Sequence, residues 1–223
     1  EKPNKIITNL AKLLSNEGKI LIDVPDTENC LNSVNISTIW EDHLFYFNKY
    51  NFRSLFDSLS FNTIFIKKYK RIQESDLYGL FQVFNGKTKK NLILKKNNNK
   101  IFLKFKNNFN KKIASVNKKL LSFNKKIFFL GCGHNLLVFL RICKINSKNI
   151  NIIDDGKNKM GKWPLNIKSK ITSSDIITSL KLPIVVVATP PELDKKIKNN
   201  ILKTNPKSLF FSIFPKSKFY ICK

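Results

Sequence analysis

The sequence predicts an α/β protein built in two parts. Short apolar stretches of strand length alternate with amphipathic stretches of helix length along its 223 residues. In the second part a strand runs into Gly131-Cys132-Gly133 and then a helix, the pattern of a Rossmann-like unit. Residues 182–188 (LPIVVVA) are apolar throughout, which is typical of a strand buried in a parallel sheet. Together these features favour a partial α/β sheet followed by a Rossmann-like α/β domain.

The first elements are a helix and a strand. Apolar residues at helical spacing in the first 17 positions predict an opening helix, with Gly18 as its C-cap. Residues 19–24 form an apolar stretch of strand length, and we expect Pro25 to stop this strand. A polar loop then leads to the next helix.

A second helix and a hairpin are expected to complete the first part. Asn48 is placed to cap a helix over residues 49–59, which carries its phenylalanines and leucines on one face. Residues 61–66 and 77–84 are rich in aromatic and β-branched residues and predict two antiparallel strands. The first domain is therefore assigned to residues 1–84.

Residues 85–125 are interpreted as a linker and a connecting helix. The stretch 85–100 is dominated by asparagine, lysine and glycine, as expected of a solvated connection. Residues 101–123 place apolar side chains mostly three or four positions apart, which predicts a long amphipathic helix.

Residues 126–223 are assigned to the second domain, which begins with a strand, a glycine turn and a helix over 135–143. The next strand, 149–153, ends in Asp154 and Asp155. Glycines at such a turn let the backbone approach phosphate, and an acid about 20 residues on can hold ribose hydroxyls. Leu136 stands where a dinucleotide fingerprint has its third glycine. NAD or nucleotide binding and a plain tight turn both remain open, and His134 could reach a phosphate or cap the helix.

Three further elements are expected after this turn. Residues 189–192 (TPPE) should start a helix, because proline is tolerated in a first helical turn. Residues 208–214 and 219–221 are expected to supply closing strands.

Titratable and aromatic side chains concentrate in the loop before the second helix: Trp40, Glu41, Asp42, His43 and Tyr46. An imidazole titrates near neutral pH, and an adjacent carboxylate raises its basicity and orients its ring. His43 with its acidic neighbours is therefore a candidate general base. A loop histidine that makes ordinary hydrogen bonds is the alternative.

The charge is strongly positive, with 41 Lys plus Arg against 15 Asp plus Glu and a formal net charge of +26. Such a charge favours polyanionic partners. The lysines are spread along the chain, however, and no zinc finger, aromatic RNA-binding box or basic heptad array is present. Specific nucleic-acid binding is not expected, but a basic binding module without catalysis stays open.

The remaining composition points to a reducing compartment. The four cysteines are far apart and form no CxxC pair, so neither a metal site nor a disulfide framework is indicated. No apolar run reaches the ~20 residues of a membrane helix, and no signal peptide is recognisable. We expect a cytoplasmic protein without membrane association. Because the chain starts in the middle of a helical pattern and without methionine, a fragment is expected.

Several of these segments resemble bacterial sugar C-methyltransferases, class I S-adenosylmethionine enzymes that act on nucleotide-linked keto-deoxysugars. The likeness lies in GKILIDVPD, STIWEDHLFYF and FRSLFDSLSF. Aligned on the family, His43 matches its catalytic base, Asp42 the acidic neighbour of that base, and Tyr46 the first of an aromatic pair. Trp40 stands in place of a tyrosine, and Asp42 in place of a glutamate.

The segment NIIDDGKNKMGKWPLNI resembles the Rossmann-like C-terminal domain of the same enzymes. There a strand-ending aspartate is followed by a lysine and a glycine, which Asp154, Lys159 and Gly161 match. The resemblance implies catalytic roles for His43, Asp42 and Tyr46. It also implies substrate contacts, which we assign to Trp40, Glu41, Gly131, Gly133, His134, Asp154 and Lys159.

The resemblance further implies that residues 1–84 are the second half of a class I methyltransferase sheet. In that family the S-adenosylmethionine pocket is formed by earlier strands, which would precede Glu1. We therefore expect an enzyme portion that is inactive alone, with no metal and with a nucleotide-linked sugar as its substrate.

Overall fold

The computed structural model describes residues 2–39, 44–70, 75–83, 98–145, 149–164 and 167–223. The chain divides into two compact units, each described by itself here. Unit 1 contains Glu1–Asn32 and His43–Lys104, and unit 2 contains Ser33–Asp42 and Phe105–Lys223. The predicted linker residues 85–97 lie outside the described residues.

Unit 1 is a three-stranded antiparallel sheet with helices. In chain order its elements are α1 (Pro3–Ala11), β1 (Lys19–Asp26), α2 (Glu28–Asn32), α3 (Lys49–Ser58), β2 (Phe61–Tyr69) and β3 (Ser75–Val83). The strand order is β1-β3-β2, so β3 runs antiparallel between two strands that are parallel to each other. The predicted hairpin is confirmed, and the predicted helix over residues 49–59 is present as α3.

Phenylalanines hold α3 against this sheet. The rings of Phe56 and Phe81 stack in parallel, and Phe52 meets both edge-on. All three side chains are essentially inaccessible to solvent. Burial of such rings is the main favourable contribution to folding of this unit.

Two predictions about where secondary-structure elements of unit 1 end are wrong. Helix α1 ends at Ala11, and Gly18 lies in a later turn, where its N–H donates to the Ser15 carbonyl. The intervening KLLSNE carries serine and asparagine, which favour turns over helix interiors. Pro25 does not stop β1, which continues to Asp26. Among the described strands β1 is an edge strand, where a missing N–H is tolerated.

Unit 2 contains a parallel four-stranded sheet of order β5-β4-β6-β7. The long helix α4 (Asn98–Ser122) begins in unit 1 and continues into unit 2. The other elements are β4 (Ile127–Leu130), α5 (His134–Cys143), β5 (Ile150–Ile153), β6 (Ile184–Val187), α6 (Asp194–Thr204) and β7 (Leu209–Ser212). This sheet agrees with the α/β class predicted from the sequence and is compatible with a Rossmann-like fold.

The unit 2 core lies on both faces of the sheet. Every residue of β6 is buried, as its uninterrupted apolar sequence predicts. The helices α4 and α5 and the turn Ile36–Thr38 pack on one face, where Ile36 is buried among their side chains. No helix in the described part of the chain is both long and apolar enough to cross a membrane.

The end of unit 2 differs from the prediction in two places. Residues 219–221 are not a strand, because a single bridge from Tyr220 to Ser212 is their only strand-type pairing among the described residues. Their backbone instead turns back on itself, with the Tyr220 N–H donating to the Ser217 carbonyl. The helix expected from residue 189 begins as a short 3₁₀ turn, Pro191–Leu193, and becomes α-helical only at Asp194.

Candidate functional site

The carboxyl end of β1 in unit 1 carries a buried ion pair. Asp26, which is only 1% exposed, pairs with the Lys68 ammonium group at the end of β2. Lys68 also lies 3.2 Å from the Glu28 carboxylate. Burial opposes the charge on Lys68, but the hydrogen bonds and charges of both acids outweigh it and raise the pKa of Lys68. This ion pair therefore links the carboxyl ends of the two outer strands, β1 and β2.

The loop that leaves β1 is closed at its base. The backbone N–H and the hydroxyl of Thr27 both donate to the Phe47 carbonyl at 2.9 Å. Asp26 and Phe47 also form a parallel bridge. Residues 27–47 therefore begin and end together at the carboxyl end of β1.

The end of this loop, residues 44–47, is the return arm, and the start of α3 holds it in place. Asn48 and Asn51 form a reciprocal capping box, in which each side chain accepts from the other residue's backbone N–H. The Asn51 amide also donates to the Tyr46 carbonyl at 2.9 Å. This bond fixes the backbone of the half-buried Tyr46, which is predicted to be catalytic. The predicted site residues Trp40, Glu41, Asp42 and His43 lie outside the described residues.

The glycine turn after β4 lies at the switch point of the unit 2 sheet. The chain leaves β4 for β5 on one side, while β6 pairs with the other side of β4. In open α/β sheets the crevice at such a point is the usual ligand site. The expected crevice would lie between the turn at 131–133 and Ala188–Thr189, which come close to Gly131.

Gly131 is required at this turn. Its φ of +96° is one that residues with a side chain rarely adopt, and an added Cβ would lie 3.0 Å from the Thr189 methyl group. Gly133 has open space where a Cβ would be, and it precedes His134, the first residue of α5. Gly133 therefore adds no side chain at the amino end of α5.

Asp154 joins this turn to the loop after β5. Its carboxylate accepts from the Cys132 N–H at 2.8 Å, the Gly156 N–H at 2.9 Å and the Lys159 ammonium at 2.9 Å. Burial disfavours its charge, but these hydrogen bonds outweigh it and hold the pKa of Asp154 below its usual range. The structure thus brings Asp154, Lys159 and the glycine turn together.

The same bonds limit what Asp154 can do for a ligand. A carboxylate has about four acceptor positions, and the protein itself fills most of those on Asp154. Asp155 is likewise occupied, since it accepts from the Ser174 N–H and hydroxyl at 2.8 Å. Direct ribose binding by either acid would require these internal bonds to be exchanged.

Sequence reasoning missed Thr189 as a site residue. Its hydroxyl oxygen is buried beside the glycine turn and has no hydrogen-bond partner among the described residues. Unpartnered buried hydroxyls are uncommon and costly, so this one favours a ligand at the crevice. Its position directly after the buried strand β6 was the available signal. Across the described ranges, no group of acids, histidines and cysteines is placed to hold a metal ion.

Comparison with known proteins does not assign the chain to a family. No model of a protein family matches its sequence, and no curated protein matches it. The functional proposal therefore depends on the sequence resemblance and on the residues at the carboxyl ends of β1 and β4.

Proposed function

We propose that this chain is a portion of an S-adenosylmethionine-dependent C-methyltransferase that acts on a nucleotide-linked keto-deoxysugar. The observation that carries the proposal is the closed base of the loop 27–47 at the carboxyl end of β1. That base brings the return arm next to the sheet edge, and His43 precedes Phe47 by four residues in the chain. The antiparallel strands completing the sheet beside β1 also agree with what the resemblance implies.

In the proposed reaction, His43 removes a proton from the carbon next to the sugar ketone. Asp42 orients the imidazole and stabilises its positive charge as it gains the proton. Tyr46, on the return arm, is the third residue assigned a catalytic role. Trp40 and Glu41 are proposed to contact the sugar. The product of this step is an enolate, whose carbon would be the nucleophile in an attack on a methyl group.

S-adenosylmethionine would supply the electrophilic methyl group for that attack. None of the residues assigned here is placed in contact with this cofactor, because the resemblance puts its pocket on strands other than β1. Proton abstraction is therefore the half of the reaction that this chain's own residues would perform. The free cysteines fit a reducing compartment, and we expect the enzyme to work in the cytoplasm.

Proton abstraction can be tested without the methyl donor. The chain is incubated in D₂O with a nucleotide-linked 4-keto-6-deoxysugar, and loss of the proton signal beside the ketone is followed by NMR. The chain alone is not expected to transfer a methyl group, but proton abstraction does not need the methyl donor. We therefore expect exchange faster than in buffer, and a decrease of at least about 100-fold in His43→Gln, the usual contribution of a general base.

The matched control is Tyr50→Phe, which alters an exposed phenol just beyond the return arm. This variant should exchange at the wild-type rate. If His43→Gln exchanges as fast as wild type, or if wild type does not exceed buffer, the chain is not this enzyme.

A second candidate function is nucleotide binding by unit 2 alone. The crevice with Gly131, the amino end of α5 and the Thr189 hydroxyl favours a phosphate-containing ligand, as in a nucleotide-sugar or NAD-binding protein. Titration with a nucleoside diphosphate by calorimetry tests this. Thr189→Val should weaken binding about tenfold, the worth of one well-placed hydrogen bond. If wild type and Thr189→Val bind the nucleoside diphosphate equally well, nucleotide binding at this turn is excluded.

A further inference from the structure

A cavity lies at the end of the unit 2 sheet opposite the glycine turn. It has a volume of about 290 Å³ and lies where β4 and β5 begin and where α4 and α5 end. Ile127, Ile150, Leu120 and Cys143 form its apolar walls. This volume is near the lower limit of ~300 Å³ for small-molecule pockets. None of the predicted catalytic or substrate-binding residues lines it.

One polar atom inside the cavity lacks a partner. The side-chain oxygen Oδ1 of Asn117 is buried, and no donor among the described residues reaches it. A buried acceptor without a donor is costly, and native proteins rarely keep one without a reason. Asn117 therefore favours an occupant that brings its own N–H or O–H group.

Among the described residues, the charged side chains that line the cavity are all positive. Lys125 and Lys144 line it and are exposed, and no aspartate or glutamate is among the residues that form it. An anionic group at the cavity mouth would therefore be attracted, and a cation repelled.

The backbone at Lys144 supports a role for its side chain. Lys144 is the C-cap of α5 and has a left-handed φ of 48°. Glycine is the usual residue in this conformation, because a side chain strains it. The lysine places a positive charge at the cavity, although glycine would avoid the strain. Attraction between its charge and the helix end is the competing, purely structural explanation.

We propose that this cavity binds a small amphipathic organic anion with an apolar body and a hydrogen-bond donor. The donor meets Asn117 Oδ1, the apolar body fills the space between Leu120 and Ile150, and the anionic group lies near Lys125 and Lys144. The proposal is independent of the methyltransferase function, since it uses none of the residues assigned to that reaction.

Indole-3-acetate is a suitable probe, because it combines an aromatic body, a ring N–H and a carboxylate. Its affinity is measured by calorimetry against that of 1-benzofuran-3-acetate, which has the same shape but an oxygen in place of the N–H. We expect the benzofuran to bind about tenfold more weakly, since it cannot donate to Asn117. If neither compound binds, the cavity is a packing void and the proposal fails.

Two variants separate ligand binding from a structural role. Asn117→Leu should bind indole-3-acetate and the benzofuran equally and should unfold at a higher temperature, because the unpartnered oxygen is gone. Lys144→Gly should bind indole-3-acetate at least about threefold more weakly while its melting temperature rises, because glycine relieves the left-handed strain.

Lys181→Gly is the control for charge, since it removes an exposed lysine that does not line the cavity. Its affinity for indole-3-acetate should equal that of wild type. If Lys144→Gly lowers the melting temperature and leaves affinity unchanged, Lys144 acts only on helix termination. If Asn117→Leu keeps the preference for the N–H compound, Asn117 is not the acceptor. Either result would overturn the proposal.

Discussion

Two aspartates in unit 2 show how their surroundings give one residue type opposite acid–base behaviour. Asp154 is surrounded by donors, and its pKa is lowered. Asp194 is 3% exposed, and one of its oxygens has no partner among the described residues. Burial raises the pKa of Asp194 although the Ser217 hydroxyl donates to it, and nearby Glu192 adds to the shift. Their effects on stability should therefore depend on pH in opposite directions.

Asp154→Asn should destabilise the protein by about 1–3 kcal/mol at neutral pH, because charge-assisted hydrogen bonds to Cys132 and Lys159 are weakened. The folded pKa of Asp154 is below the unfolded value, so its contribution is present above about pH 4 and is lost as pH falls through the folded pKa. Urea unfolding between about pH 7 and pH 3 should thus show wild type and variant converging in acid. Asp23→Asn, at an exposed position on β1, should show no such trend.

Asp194→Asn should have the reverse effect. The folded pKa of Asp194 is above the unfolded value, so its favourable contribution is present in acid and is lost as pH rises through the folded pKa. At neutral pH the asparagine variant should therefore be more stable by about 1 kcal/mol, because it removes a buried charge of which one oxygen has no partner among the described residues. A wild type that is the more stable protein at pH 7 would show that Asp194 is well solvated or paired when ionised.

At the scale of elements, β3 shows a packing constraint that its sequence hides. An ideal Cβ at Gly79 would lie 2.4 Å from two atoms of the Phe81 ring and 2.8 Å from Phe52. Such distances are far below van der Waals contact, so this glycine makes room for the rings under α3. Glycine usually weakens a strand, and here close packing explains its presence.

Gly79→Ala should cost about 1–3 kcal/mol of unfolding free energy, since the rings must shift within a packed core. Gly133→Ala is the matched control, because its Cβ would meet no atom within 4 Å and its φ of −111° suits any residue. The control should change stability by less than ~1 kcal/mol, although alanine caps a helix poorly. Equal losses in chemical denaturation would show that the aromatic cluster is more adaptable than its geometry suggests.

Element ends were the least predictable feature, for identifiable reasons. The capping asparagine before α3 was predicted because its effect is local to one helical turn. The predicted ends of α1 at Gly18 and of β1 at Pro25 were wrong, because each of these residues also occurs in other local structures. Glycine also occurs in turns beyond a helix, and proline is compatible with a strand whose outer edge needs no donor.

At the scale of the whole molecule, the charge of +26 predicts association with polyanions without sequence preference. Two unrelated DNA duplexes of ~20 base pairs should bind with dissociation constants within about twofold of each other. Both should weaken by at least about tenfold between roughly 50 and 200 mM salt. Fluorescence anisotropy checks this. A strong preference for one duplex would instead favour a dedicated nucleic-acid interface, and no binding at low salt would exclude the basic binding module.

The sequence by itself determined the α/β class and the helices and strands with a clear apolar periodicity, because that periodicity reflects which face of each element is buried. It missed the short helix α2 and wrongly predicted a strand at residues 219–221. It also indicated the turn at Gly131 and the acid that joins it, since a strand, glycines and a following acid are close in the chain. Tertiary structure alone decided the pairing of Asp26 with Lys68, the position of Thr189 beside Gly131 and the cavity around Asn117. These contacts join residues distant in sequence, and their chemistry depends on packing and solvent exclusion, which no local pattern records.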